Sequence, residues 1–279
     1  MNTQNPYQPI YRQLIHEIEK GFLLLDETIQ KEIYGFVASQ QHQNGAFTNR
    51  GGHPDIYYTL FGAWLAEALG LTSQMNQLKI FTEKVNPDKK KIVERFALLL
   101  IKAVADNDFK KPAVFSLVRM IFKGGKDINP AYQVFLFLLS FDALYGKNRF
   151  LYFLFSVVLN FYRSPEDAPC SFSAAVLVAK YLVGKKVENE TQNQLAYFEA
   201  GKGFKVFKEL KNADLLSTAV ALFALKKAGA DLRIVAPDCL NLIQQNYDSG
   251  AFLSGDCDSS RDLEYTFYGL LALGALSEI

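Results

Sequence analysis

Cysteine is scarce in this chain. Three occur in 279 residues, Cys170, Cys239 and Cys257. Their scattered spacing makes neither a disulfide framework nor a paired metal motif, so a reducing compartment is expected. An excess of one charge is also missing. Thirty Lys and Arg face 29 Asp and Glu, for a net charge of +1. Bulk charge therefore draws in neither a nucleic acid nor an acidic membrane. Long apolar runs are absent. The stretch "FLYFLFSVVL" (150–159) falls short of the ~20 residues that a membrane span needs. The first residues, "MNTQNPYQPIYRQL", carry no basic-then-apolar signal pattern. The expected location is the cytoplasm. Runs of alternating apolar and polar residues, the mark of half-buried strands, are not found.

What is present is helix. Hydrophobic residues make up 49% of the chain and charged residues 21%, ample for a core. Apolar residues recur with a period near 3.6, as Tyr265, Tyr268 and Leu271 or Ala272 do. The chain also repeats itself. "DIYYTLFGAWLAEAL" from Asp55 matches "DLEYTFYGLLALGAL" from Asp262. "DAPCSFSAAVLVAKYL" from Asp167 and "DLLSTAVALFALKKAG" from Asp214 are further copies. "DKKKIVERFALLLIKAV" from Asp88 and "NPAYQVFLFLLSFDAL" from Asn129 are weaker ones. Between them the periodicity predicts helices near 27–41, 73–86, 110–123, 147–162, 189–200 and 235–247, with an extra N-terminal helix near 8–22 inside residues 1–25.

A two-helix repeat of ~40–50 residues means stacked hairpins. Six hairpins predict an all-α fold, an (α/α)6 toroid over residues 1–279 as one domain. An open α-solenoid is the alternative. Closure is favoured because the first and last copies are the most alike. The loop before a copy repeats too, as Gly45-Ala46-Phe47 and Gly250-Ala251-Phe252, with Gly203-Phe204 related. The glycine suits a turn with positive φ, and the phenylalanine can plug the gap between hairpins.

These features, a Gly-Ala-Phe loop followed by Asp-x-x-Tyr-Thr opening a helix, resemble the repeats of protein prenyltransferase β subunits and squalene–hopene-type terpenoid cyclases. The resemblance implies a central aromatic-lined cavity that takes an isoprenoid or polyene chain for cyclisation, isomerisation or transfer. It does not carry over the standard catalytic groups. "SRDLEYT" resembles the segment that holds a zinc-binding His, but Tyr265 stands at that place. "DAPCSF" resembles the Asp/Cys segment, with Asp167 at the Asp, Pro169 at the Cys and Cys170 beside it. Two of three zinc ligands are thus missing. "DLLSTAVAL" resembles the cyclase acid motif, with Leu216 and Ser217 in place of the catalytic pair. No metal and no cofactor are expected.

Several residues are candidates for the site. The last loop is longer than the first and carries Asp256 and Asp258. One of two such carboxylates can stay protonated as a general acid, or the pair can hold a divalent ion; a solvated acidic loop is the plain alternative. His53 can move a proton near neutral pH, or is a surface loop residue. Arg50 and Arg261 suit a phosphate or carboxylate head group, and Arg261 can instead pair with Asp258. Tyr58, Phe61, Trp64, Tyr132, Phe135 and Phe172 would line the substrate or pack the core. The resemblance puts Tyr58 and Tyr265 at the catalytic end of the cavity, where a tyrosine can exchange a proton. Asp55, Asp167, Asp214 and Asp262 read best as helix N-caps. The expected partner is a hydrophobic small molecule, with a carrier protein or a small homo-oligomer as further possibilities. The alternative to an enzyme is a non-catalytic carrier or an interaction scaffold.

Overall fold

The computed structural model describes residues 7–106, 108–122, 130–146, 148–162, 165, 167–255 and 258–277. Thirteen α-helices lie among the described residues: α1 (Ile10–Leu23), α2 (Glu27–Ser39), α3 (Ile56–Ala68), α4 (Thr72–Lys84), α5 (Ile92–Ala105), α6 (Val114–Phe122), α7 (Pro130–Tyr145), α8 (Arg149–Phe161), α9 (Cys170–Leu182), α10 (Glu188–Leu195), α11 (Leu215–Lys227), α12 (Ala236–Gln245) and α13 (Leu263–Ala275). Each falls where the periodicity predicts one, and the chain is mostly helical. Some starts are displaced. The expected helix at Asp88 begins at Ile92, because Pro87–Lys89 forms a separate 3-10 turn capped by the Asn86 side chain.

Strands are not wholly absent, as periodicity alone predicted. Phe198–Glu199 (β1) pairs antiparallel with Gly203–Phe204 (β2), and Tyr247–Asp248 (β3) with Ala251–Phe252 (β4). Gln41 and Phe47 form a single bridge at the corresponding place in the first loop. Ladders of one or two residues are too short to leave an alternating pattern in sequence.

The chain forms two compact units. One comprises residues 1–16 and 40–148, the other 17–39 and 149–279. In the first, α5 packs between α3 and α7, with α4 against α3 and α5 and α6 against α7. In the second, α11 packs between α9 and α13, with α10 and α12 alongside. Helices α3, α11 and α13 are buried over most of their length, which explains their apolar character on every side.

One loop design serves three helices. The backbone N–H groups of Phe47, Phe204 and Phe252 donate to the hydroxyls of Thr59, Thr218 and Thr266 at 3.0, 3.1 and 3.4 Å. Thr59 and Thr266 donate onward to the carbonyls of Asp55 and Asp262. All three phenylalanines are buried. Phe47 lies against Gly62 and Phe252 against Gly269, where an added Cβ would come within 2.3 Å of the ring. Gly45 and Gly250 have φ of 91° and 89°, a region open to glycine. A Cβ at Gly45 would strike the Gln77 carbonyl of α4, and one at Gly250 the Glu32 carbonyl of α2.

The second pairing is informative. The loop before α3 packs on α4, the next outer helix in the chain. Gly203, before α11, likewise meets Leu242 of α12. Gly250, before α13, instead meets Glu32 and Phe36 of α2, an outer helix from early in the chain. Tyr247 completes this junction by donating to Glu32 and accepting from the Gly250 N–H at 3.0 Å.

In the second unit α1 also lies hard against α13. An added Cβ at Gly274 would sit 1.7 Å from the Glu17 carbonyl, and one at Gly21 2.0 Å from that of Leu270. The buried Glu17 carboxylate takes Lys226 at 2.9 Å and Lys227 at 3.4 Å. In the first unit, the buried carboxylate of Asp142 on α7 accepts the Ile10 N–H at 2.7 Å and the Tyr7 hydroxyl. It caps the first turn of α1 from a different helix.

Candidate functional site

Several candidate residues of each unit stand at or just before the N-terminal ends of its helices. There the repeated aspartates act as caps. Asp55, Asp214 and Asp262 accept from the N–H groups of Tyr58, Ser217 and Tyr265 at 3.1, 2.5 and 2.8 Å. This satisfies backbone donors that a helix start leaves open.

Asp167 is the exception, and it corrects the register read from sequence. The N-cap of α9 is Pro169, with no side-chain bond, and Asp167 lies two residues outside the helix. Proline disfavours a helical residue before it, which fixes the helix start. The N–H of Cys170 donates to the Val206 carbonyl at 2.8 Å, as that of Leu215 donates to Ser254 at 3.0 Å. Counting from the true cap, Ser173 takes the threonine place and Phe172 the place of Tyr58 and Tyr265. The resemblance of "DAPCSF" to a zinc segment therefore loses its aspartate.

Tyr58, Phe172 and Tyr265 all stand three residues after a cap, and all three are half-buried. At the same place in α11 stands Ser217, which is buried. In the first unit the aromatic residues of α3 run on as an edge-to-face series. Ring centroids are 5.7 Å apart for Tyr57–Tyr58, 5.0 Å for Tyr57–Phe61 and 6.1 Å for Phe61–Trp64. Phe61 and Trp64 are buried and belong to the core around α3. His53 and Arg50 are exposed on the loop before this helix. The Asn49 side chain shapes that loop by accepting the N–H groups of Gly51 and His53.

In the second unit, Tyr265 pairs with Tyr268 at 6.2 Å, and Tyr268 with Phe267 at 5.2 Å. Phe172 meets Tyr162 at 6.1 Å. Asp258 accepts the Ser260 N–H at 2.9 Å in a local turn, and Arg261 donates to the Ser249 carbonyl at 3.4 Å. Thus Asp258, Arg261, Tyr265 and Tyr268 share one loop and the helix it opens, and Phe172 opens a helix of the same unit. Arg50, His53, Tyr58, Phe61 and Trp64 share another loop and helix in the first unit. Asp256 lies outside the described residues. Tyr132 and Phe135 fall in α7, with side chains outside the described set.

Neither described thiol is set up for chemistry. Cys170 is fully buried, accepts from the Gln194 amide at 3.0 Å and faces the Ser217 carbonyl at 3.6 Å. Burial pushes this thiol far up from its ordinary range. Burial also pushes the Cys239 thiol up to about 12. Only thiolates bind metals or attack well. Among the described residues no three His, Cys, Asp or Glu side chains gather as a metal site, and no helix is long and apolar enough to cross a membrane.

Sequence reasoning passed over Tyr268 as a site residue. Its signal was there, three positions after Tyr265 on one helical face. It also passed over Asp142 and Glu17. Each is a lone acid within a helix, and nothing in a linear pattern reveals the distant donors it serves.

No family model, curated protein or solved structure matches this chain.

Proposed function

We propose that this chain closes into an (α/α)6 toroid resembling the terpenoid cyclases and prenyltransferase β subunits, and that it binds an apolar isoprenoid or polyene chain. The observation that carries this reading is the register of Tyr58, Phe172 and Tyr265. Three helices each carry a half-buried aromatic one turn from the cap. Aromatic faces suit a polyene, and they stabilise a cation within ~6 Å by ~0.5–2 kcal/mol. Closure is supported by α2, which serves the loop before α13 as the following outer helix serves the other loops.

The enzyme reading adds proton transfer by Tyr265, with Asp258 and Asp256 on the preceding loop and His53 as further groups. The carrier reading has its own support. The capping aspartates stand where the family keeps acids, and here they serve backbone N–H groups.

Native mass spectrometry and solvent extraction of the purified protein test both. A bound isoprenoid or polyene supports the common reading. If Tyr265→Phe or Asp258→Asn then abolishes conversion of that ligand while binding persists, the protein is an enzyme. If the ligand leaves unchanged from every variant, it is a carrier. If neither co-purified nor added prenyl chains bind, both fail and the scaffold reading stands.

A further inference from the structure

We draw no further inference here: the strongest candidate, the exposed apolar face of α8 formed by Phe150, Phe153, Leu154 and Val157, carries nothing because nothing in the structure shows what covers it.

Discussion

Asp214 shows what a repeated residue does when its neighbours are counted with it. Its carboxylate accepts the Ser217 N–H at 2.5 Å at the start of a buried helix. A cap removed by substitution typically costs about 1 kcal/mol. Asp214→Ala should lower stability by about that amount in a denaturant titration, and any ligand affinity should stay as it was. A second residue-scale outcome concerns Tyr197, which is fully buried and donates to the Ala168 carbonyl at 2.7 Å. Burial raises its phenol from 10.0 to about 12. The folded state thus favours the neutral form. Its contribution is complete below pH 10 and is lost as pH rises towards 12, because the unfolded chain ionises first. Stability should fall through that window, and Tyr197→Phe should flatten the fall. A wild-type curve that stays level to pH 12 would contradict the assignment.

Between helices, close approach decides. Gly274 lets the α1 backbone pass where a Cβ would be 1.7 Å from a carbonyl oxygen. No side chain can yield there, so α1 must move off α13. Gly274→Ala should cost about 3 kcal/mol or more, at the upper end of overpacking effects. Gly269→Ala, pressed on the Phe252 ring, should cost about 1–3 kcal/mol. Thermal melts of the pair give the ranking, and an equal or reversed order would show that the ring is the harder obstacle. The buried Glu17 adds to the same crossing. Glu17→Ala leaves Lys226 and Lys227 without their shared carboxylate, and removing one partner of a buried ion pair is strongly destabilising.

At the scale of the molecule, residues 17–39 belong to the unit formed by the C-terminal half. They supply the helix on which the loop before α13 rests. A chain lacking residues 1–39 should therefore lose more than two helices. The junction of Tyr247 and Gly250 with α2 should open, and the melt should become broad and begin well below that of the full chain. A truncated chain that melts as sharply and as high as the intact one would argue against α2 as the closing element, and with it against the proposed ring.

The helices and most of their ends were legible because apolar period, Pro and Gly are local signals. The Gly-Ala-Phe loop and the Asp caps were legible because the chain writes them more than once. The site was only partly legible. Tyr58 and Tyr265 share a register that the sequence displays openly. Phe172 joins them only after Pro169, not Asp167, proves to be the cap, a shift that two residues of coil conceal. By itself, then, the sequence determined an all-α chain of repeated helices with capped starts and plugged turns, since each of these depends on residues within about one repeat. Only the tertiary structure decided that α2 backs the last loop and that Glu17 meets Lys226. It also decided that Asp142 caps α1 and that α8 keeps an apolar face outward. Those outcomes depend on which distant surfaces meet, and burial between them leaves no period in the sequence.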